Sequence, residues 1–143
     1  MIASQALADT GDARLMTVAR EARQAIEMID WFYVRNGACP QPTRPADLEE
    51  MQSGLGDGYS VEPQGRFVAI RGISMVSGWL YYTSPKHADQ CMLWRKLDWD
   101  AALIWRRHGG STEWGLDPGD GGTERRLRLR FCAGTGCDSA VSP

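Results

Sequence analysis

Between about Thr10 and Asn36, apolar residues fall at Leu15, Val18, Ala19, Ala22, Ile26, Ile29 and Tyr33. Steps of three and four residues trace one stripe of an amphipathic helix. Arg14, Arg20, Glu21, Arg23, Gln24 and Glu27 occupy much of the remaining surface. Asp9 or Thr10 is placed to cap the start, and Gly37 is placed to end the helix by taking a left-handed conformation. A helix of this length is roughly 35–40 Å long at 1.5 Å per residue, long enough to be the spine of the fold or an arm for a partner.

The pattern then changes. "ACPQPTRPADLEEMQSGLGDG" holds three prolines, a short helix predicted from Pro45 to Met51, and glycines that mark an irregular connector. "RFVAIRGI", beside a turn at Gln64-Gly65, and the aromatic "GWLYYT" predict strands. "SPKHADQCMLWRKL" reads as a second short helix, with Ser84 as cap and Pro85 in the first turn. "DAALIWRR" fits strand or helix, and "GGSTEWGLDPGDGGTE" reads as a loop. In "RRLRLRF", Leu127, Leu129 and Phe131 alternate with Arg126, Arg128 and Arg130, a period of two with one apolar and one basic face. A sheet with one wet face is antiparallel. The expected fold is therefore α+β: one domain over 1–143, with a long N-terminal amphipathic helix packed on an antiparallel β-sheet.

Composition narrows the classes. The chain has 143 residues, 43% of them apolar and 24% charged, the balance of a globular domain rather than a disordered chain. A net charge of −2 argues against a dedicated nucleic-acid binder. No run approaches the roughly 18 apolar residues of a membrane-spanning helix. The four cysteines are Cys39, Cys91, Cys132 and Cys137. Only the last two are close, whereas structural zinc sites offer two close pairs; two disulfides in one of three connectivities is the expectation, and with it folding outside the cytosol.

A long amphipathic helix with Tyr33 near its end, the Asn36-Gly37 turn, Cys39-Pro40 just beyond, and a loop into an antiparallel sheet resembles the globular part of type IV pilins and pseudopilins. The likeness in element order runs from Leu15 onward; its sharp motif is about ten residues. The resemblance implies a pilin-like fold and a non-enzymatic structural subunit, of minor-pilin type, in a type IV pilus or secretion pseudopilus. Its partners would be other subunits, met through the N-terminal helix, and its location the periplasm or cell surface. Family members begin with a basic leader, a cleavage site and a hydrophobic helix carrying a glutamate. Here Met1 is followed by "IASQALADTGDA", which reads as the start of a soluble form, so membrane contact would come only through a hydrophobic helix this chain lacks. For the cysteines two pairings fit: Cys91 with Cys132 or Cys137 and Cys39 with the other, or Cys132 with Cys137 and Cys39 with Cys91. The family pattern favours the first.

Candidate chemistry is sparse. His87 and His108 read as surface residues. A Cys91–His87 nucleophilic pair has helical spacing, but Cys91 falls on the apolar face, so no catalytic residue is assigned. Asp117, Asp120 and Glu124 form an acidic loop without calcium-loop spacing, and neither metal nor cofactor is expected. Of six tryptophans, Trp114 lies in the predicted loop and is the candidate partner contact. Arg126, Arg128 and Arg130 form a basic stripe suited to an acidic neighbour or to weak, salt-dependent contact with DNA. A ligand-binding adhesion module for DNA, sugar or protein is thus the alternative reading.

Overall fold

The computed structural model describes residues 13–97, 100–119, 121–130 and 139–141. The expected fold, one long N-terminal helix packed on an antiparallel sheet in the pilin manner, does not form. Residues 13–36 make two helices, α1 (13–21) and α2 (Arg23–Asn36), separated by a turn at Ala22. The sheet, rather than a helical spine, is the principal element.

The break at Ala22 has a tertiary cause. Neither glycine nor proline is present there, and the apolar stripe runs through it without a phase change. However, the Ser74 hydroxyl, from a loop distant in sequence, donates to the Glu21 carbonyl at 3.1 Å. The Glu21 carboxylate meanwhile accepts from Arg95 Nε at 2.8 Å and from Trp79 Nε1 at 3.3 Å. The Ala22 N–H turns back to the Ala19 carbonyl, the tighter i−3 bond. A side chain inserted into the helical ladder is a standard cause of a kink, and no local pattern announces one. At the other end the local reading is right: Gly37 has φ +69° and donates to the Tyr33 carbonyl at 2.8 Å.

Helix α3 (Pro45–Leu55) starts at its proline as expected and runs four residues past Met51. Eight strands follow: β1 (Tyr59–Gln64), β2 (Phe67–Gly72), β3 (Trp79–Thr83), β4 (Gln90–Lys96), β5 (Ala102–His108), β6 (Ser111–Asp117), β7 (Arg125–Arg130) and β8 (Ser139–Val141). Each pairs antiparallel with its chain neighbours, in spatial order β1 to β8. The first hairpin closes over Gly65-Arg66, one residue later than the sequence indicates, with Gln64 opposite Phe67 and Gly65 at φ +69°. Positive φ at the first loop residue suits the twist of a two-residue hairpin.

Two further readings are corrected. The segment read as a helix from Ser84 is a turn followed by strand β4. Ser84 does cap, its hydroxyl accepting from the Lys86 and His87 N–H groups, but the cap closes only a local turn. Beyond it Cys91 and Leu93 are buried while Met92 and Trp94 are half-buried on the other face, a period of two. The predicted loop around Trp114 contains strand β6, which pairs along its length with β5.

One cross-strand row on the inner face carries the core: Val68, Tyr81, Leu93, Trp105, Trp114 and Leu127 face one another across β2 to β7. All are at most 8% exposed. Ala19, Ala22, Ala25, Met28 and Ile29 of the helices join the same cluster. Three alanines on the seam bring the helix backbones close to the aromatic row.

The Cys39–Cys91 disulfide joins the loop after α2 to β4, so the pairing favoured by the family pattern is overturned. Cys132 and Cys137 lie outside the described residues, as do Asp9 and Thr10. The bond spans 52 positions, and closing a loop of that size is worth about 2–4 kcal/mol, mainly through the unfolded state. Cys39→Ser with Cys91→Ser is expected to lower unfolding free energy by that amount, measured by urea denaturation of the oxidised wild type and the double variant.

Candidate functional site

The side chains with chemical potential gather in two places. The first is the seam where α2 ends. Tyr33 and Asn36 lie in its last turn, and Cys39, nearly fully buried, is bonded to Cys91. The Cys39 N–H donates to the Ala88 carbonyl at 2.8 Å, and the buried Tyr81 hydroxyl donates to the Pro40 carbonyl at 2.6 Å. Burial raises the Tyr81 hydroxyl pKa well above the ordinary tyrosine value, and the nearby Asp47 charge adds to it, so Tyr81 stays a donor. Asp47 itself accepts from the Gln41 N–H at 2.8 Å. These bonds hold "ACPQP" against the sheet.

Arg107 of β5 completes the seam. It is 8% exposed, points to the helix side, and pairs with Asp30 of α2. Its guanidinium lies 4.6 Å from the Tyr33 ring centroid and donates to the Gly109 carbonyl at 2.7 Å. Its Nε is buried with no hydrogen-bond partner among the described residues. This arrangement fixes a helix to a sheet; its charges are spent on one another.

The second place is the outer face of the sheet, away from the helices. Strand alternation lays out two rows there. One runs Phe67, Tyr82, Met92, Arg106, Glu113, and the next runs Ala69, Leu80, Trp94, Ile104, Gly115, Arg126. Much of this face is therefore apolar, not wet. Phe67 and Tyr82 meet edge to face, with centroids 5.1 Å apart. A concavity of about 390 Å³ lies over Phe67, Tyr82 and Met92, rimmed by Arg66, Ser84 and His108. A second, of about 210 Å³, lies over Leu80 and Trp94 beside Arg71 and Lys96.

Glu124 folds over this face. Gly115 leaves the room: a Cβ there would come within 2.6 Å of Glu124 Oε2. Glu124 takes both Arg106 guanidinium nitrogens, one at 2.6 Å. The Arg106 hydrogen bonds hold the Glu124 carboxyl below its ordinary range, against a smaller effect of burial. Burial raises the Tyr82 hydroxyl pKa, with Arg106 opposing and Glu124 reinforcing.

The residues singled out in the sequence are not brought together. Trp114 is 6% exposed on the inner face of β6, so it belongs to the core row rather than to a contact surface. Arg126 and Arg128 are exposed on β7, and Arg126 pairs with Glu113 at 3.3 Å. The side chain of Arg130 lies outside the described residues. His87 is exposed, and His108, about half exposed, lies 3.9 Å from Glu113. Glu124, read as part of an acidic loop, is committed to Arg106, and Asp120 lies outside the described residues. Among the described residues no group of three His, Cys, Asp or Glu is placed to hold a metal ion.

The outer-face aromatic residues carried a signal that went unused. "WLYY" has Trp79 and Tyr81 on one face and Leu80 and Tyr82 on the other; a strand apolar on both faces marks a sheet whose second face is also partly shielded from water.

Two outcomes follow. Removing one partner of a buried ion pair costs more than replacing the charge by an apolar side chain. Asp30→Ala, which strands Arg107, is expected to cost about 2 kcal/mol, below the fully buried case because Asp30 is 44% exposed. Arg107→Met should cost less than Asp30→Ala, and denaturant titration of both ranks them. For Glu124 the folded pKa lies below the unfolded one. Its stabilisation is therefore complete above the ordinary value of 4.5 and is lost as pH falls through the folded value. Glu124→Gln is expected to flatten that part of the acid-unfolding curve, and Gly115→Ala, which displaces the carboxylate, should do the same. No protein-family model, no curated protein and no solved structure matches this chain.

Proposed function

We propose that this chain is a structural subunit of an extracytoplasmic filament, without the long helical spine of the pilins its sequence resembles, whose work is assembly rather than catalysis. The observation that carries the reading is the Cys39–Cys91 bond. Disulfides persist in oxidising compartments outside the cytosol. This one fastens the exit of a helix to a central strand of the sheet. Load applied to the helix layer of such a subunit passes into the sheet through a covalent link, with Asp30–Arg107 and Tyr81–Pro40 alongside it.

The outer side of the helix layer supports the same reading. Trp31 and Val34 of α2 are 45% and 83% exposed, and Ile73 and Val76 in the β2–β3 loop are 81% and 76% exposed. Arg35 lies over the Trp31 ring, 4.3 Å from its centroid, which stiffens that patch. Two distinct apolar patches on one subunit suit a head-to-tail contact between copies, the kind that propagates into a filament instead of closing as a dimer.

Sedimentation of the oxidised protein across a concentration series tests this. Reversible self-association is expected, abolished by Val34→Asp without loss of thermal stability, because Val34 makes no contribution to the core. A wild type that stays monomeric at millimolar concentration, or a Val34→Asp variant that associates as well as wild type, contradicts it.

A further inference from the structure

We propose that the outer face over β2–β4 is a binding groove for an acidic polysaccharide in which charged and neutral rings alternate. This goes beyond the assembly reading and does not rest on it, since the groove lies on the face opposite the helices.

The two concavities lie over neighbouring cross-strand rows of one face. Their floors are ring-rich: Phe67, 41% exposed, with Tyr82 and Met92 half-buried in the first, and Leu80 and Trp94 half-buried in the second. Flat rings of this kind take the C–H faces of sugars. Gln90 lines the first concavity and Gln64 the second, and Ser84, whose oxygen accepts from Lys86 and His87, keeps its own proton to donate; these are neutral groups matched to sugar hydroxyls.

Charge decides the class. Among the described residues no carboxylate lines either concavity. Arg66 and His108 stand at one end, and Arg71 and Lys96 at the other. Arg66 and Arg71 are separated along β2 by roughly 16 Å, five residues at about 3.3 Å each. Between the two ends the lining is neutralised, because its two further cations, Arg106 and Arg107, are taken by Glu124 and Asp30. Neither Arg66 nor Arg71 has an ion-pair partner among the described residues, while Lys96 and His108 have only exposed, long contacts with Asp100 at 3.7 Å and Glu113 at 3.9 Å. A nucleic acid sets a phosphate beside every base and calls for cations along the whole track. In a chain with an acid on every second ring, successive acids lie closer together than the Arg66 and Arg71 backbone positions, and the long, flexible arginine side chains can reach inward to meet them with a neutral ring on the aromatic floor between.

The test is calorimetric titration of the oxidised protein with a hyaluronan octasaccharide, an alternating uronate and N-acetylhexosamine chain. Saturable, salt-weakened binding is expected. The double variant Arg66→Glu, Arg71→Glu should bind about tenfold more weakly, the size expected for reversing two exposed charge contacts. Phe67→Ala should weaken binding as well, and both variants should keep the wild-type thermal midpoint; if the double variant does not fold, Phe67→Ala with Arg71→Gln decides the matter. Tighter binding of oligothymidylate or of a polyuronate charged on every ring, no heat at millimolar octasaccharide, or variants that bind as wild type would each overturn the proposal.

Discussion

The structure depends on one seam, the line along which α2 leaves the sheet and the chain turns back into it. Helices as short as the fourteen-residue α2 are marginal on their own in water. What holds them is burial of an alanine-rich stripe against the aromatic row of the inner face, and what holds that stripe in register is the seam. Cys39–Cys91, Tyr81–Pro40 and Arg107–Asp30 tie three strands to one helix end and its exit loop. The charged pair contributes little on its own, since burying Arg107 costs much of what Asp30 returns. The covalent bond and the apolar row supply the stability, and the charges fix the alignment.

A second set of ties works at the other end of the helices. Glu21 holds Arg95 and Trp79 through its side chain and Ser74 through its carbonyl. These ties sit at the turn at Ala22 that separates α1 from α2. Both devices join segments far apart in sequence, which explains what the sequence did and did not disclose. The end of α2 was legible because Asn36-Gly37 acts locally, and β7 was legible because leucine and arginine alternate strictly. The break at Ala22 was not legible, because the Ser74 hydroxyl that meets the Glu21 carbonyl comes from 53 positions away. Strand β4 was misread because Ser84 and Pro85 are true helix-start signals that here close a single turn. Strand β6 was hidden by the glycines around it, and with it the burial of Trp114. The disulfide partner of Cys39 followed from neither spacing nor family pattern; it is set by the register that puts Cys91 of β4 on the inner face.

The two faces of the sheet then divide the work. The inner face is filled by the helices and is structural throughout. The outer face is shielded in part by its own side chains, with Glu124 folded over Gly115 and the Phe67–Tyr82 pair leaving open ground on either side. Under the proposed assembly through the helix side this face would stay free to meet the surroundings, so assembly and surface recognition would not compete for the same residues.

The central claim is that the helix exit is covalently fastened to the sheet, and peptide mapping of the unreduced protein, produced in an oxidising compartment, tests it most directly. The account predicts a disulfide-linked peptide pair containing Cys39 and Cys91. A Cys91 recovered bonded to Cys132 or Cys137, or alkylated as a free thiol in folded protein, would contradict it.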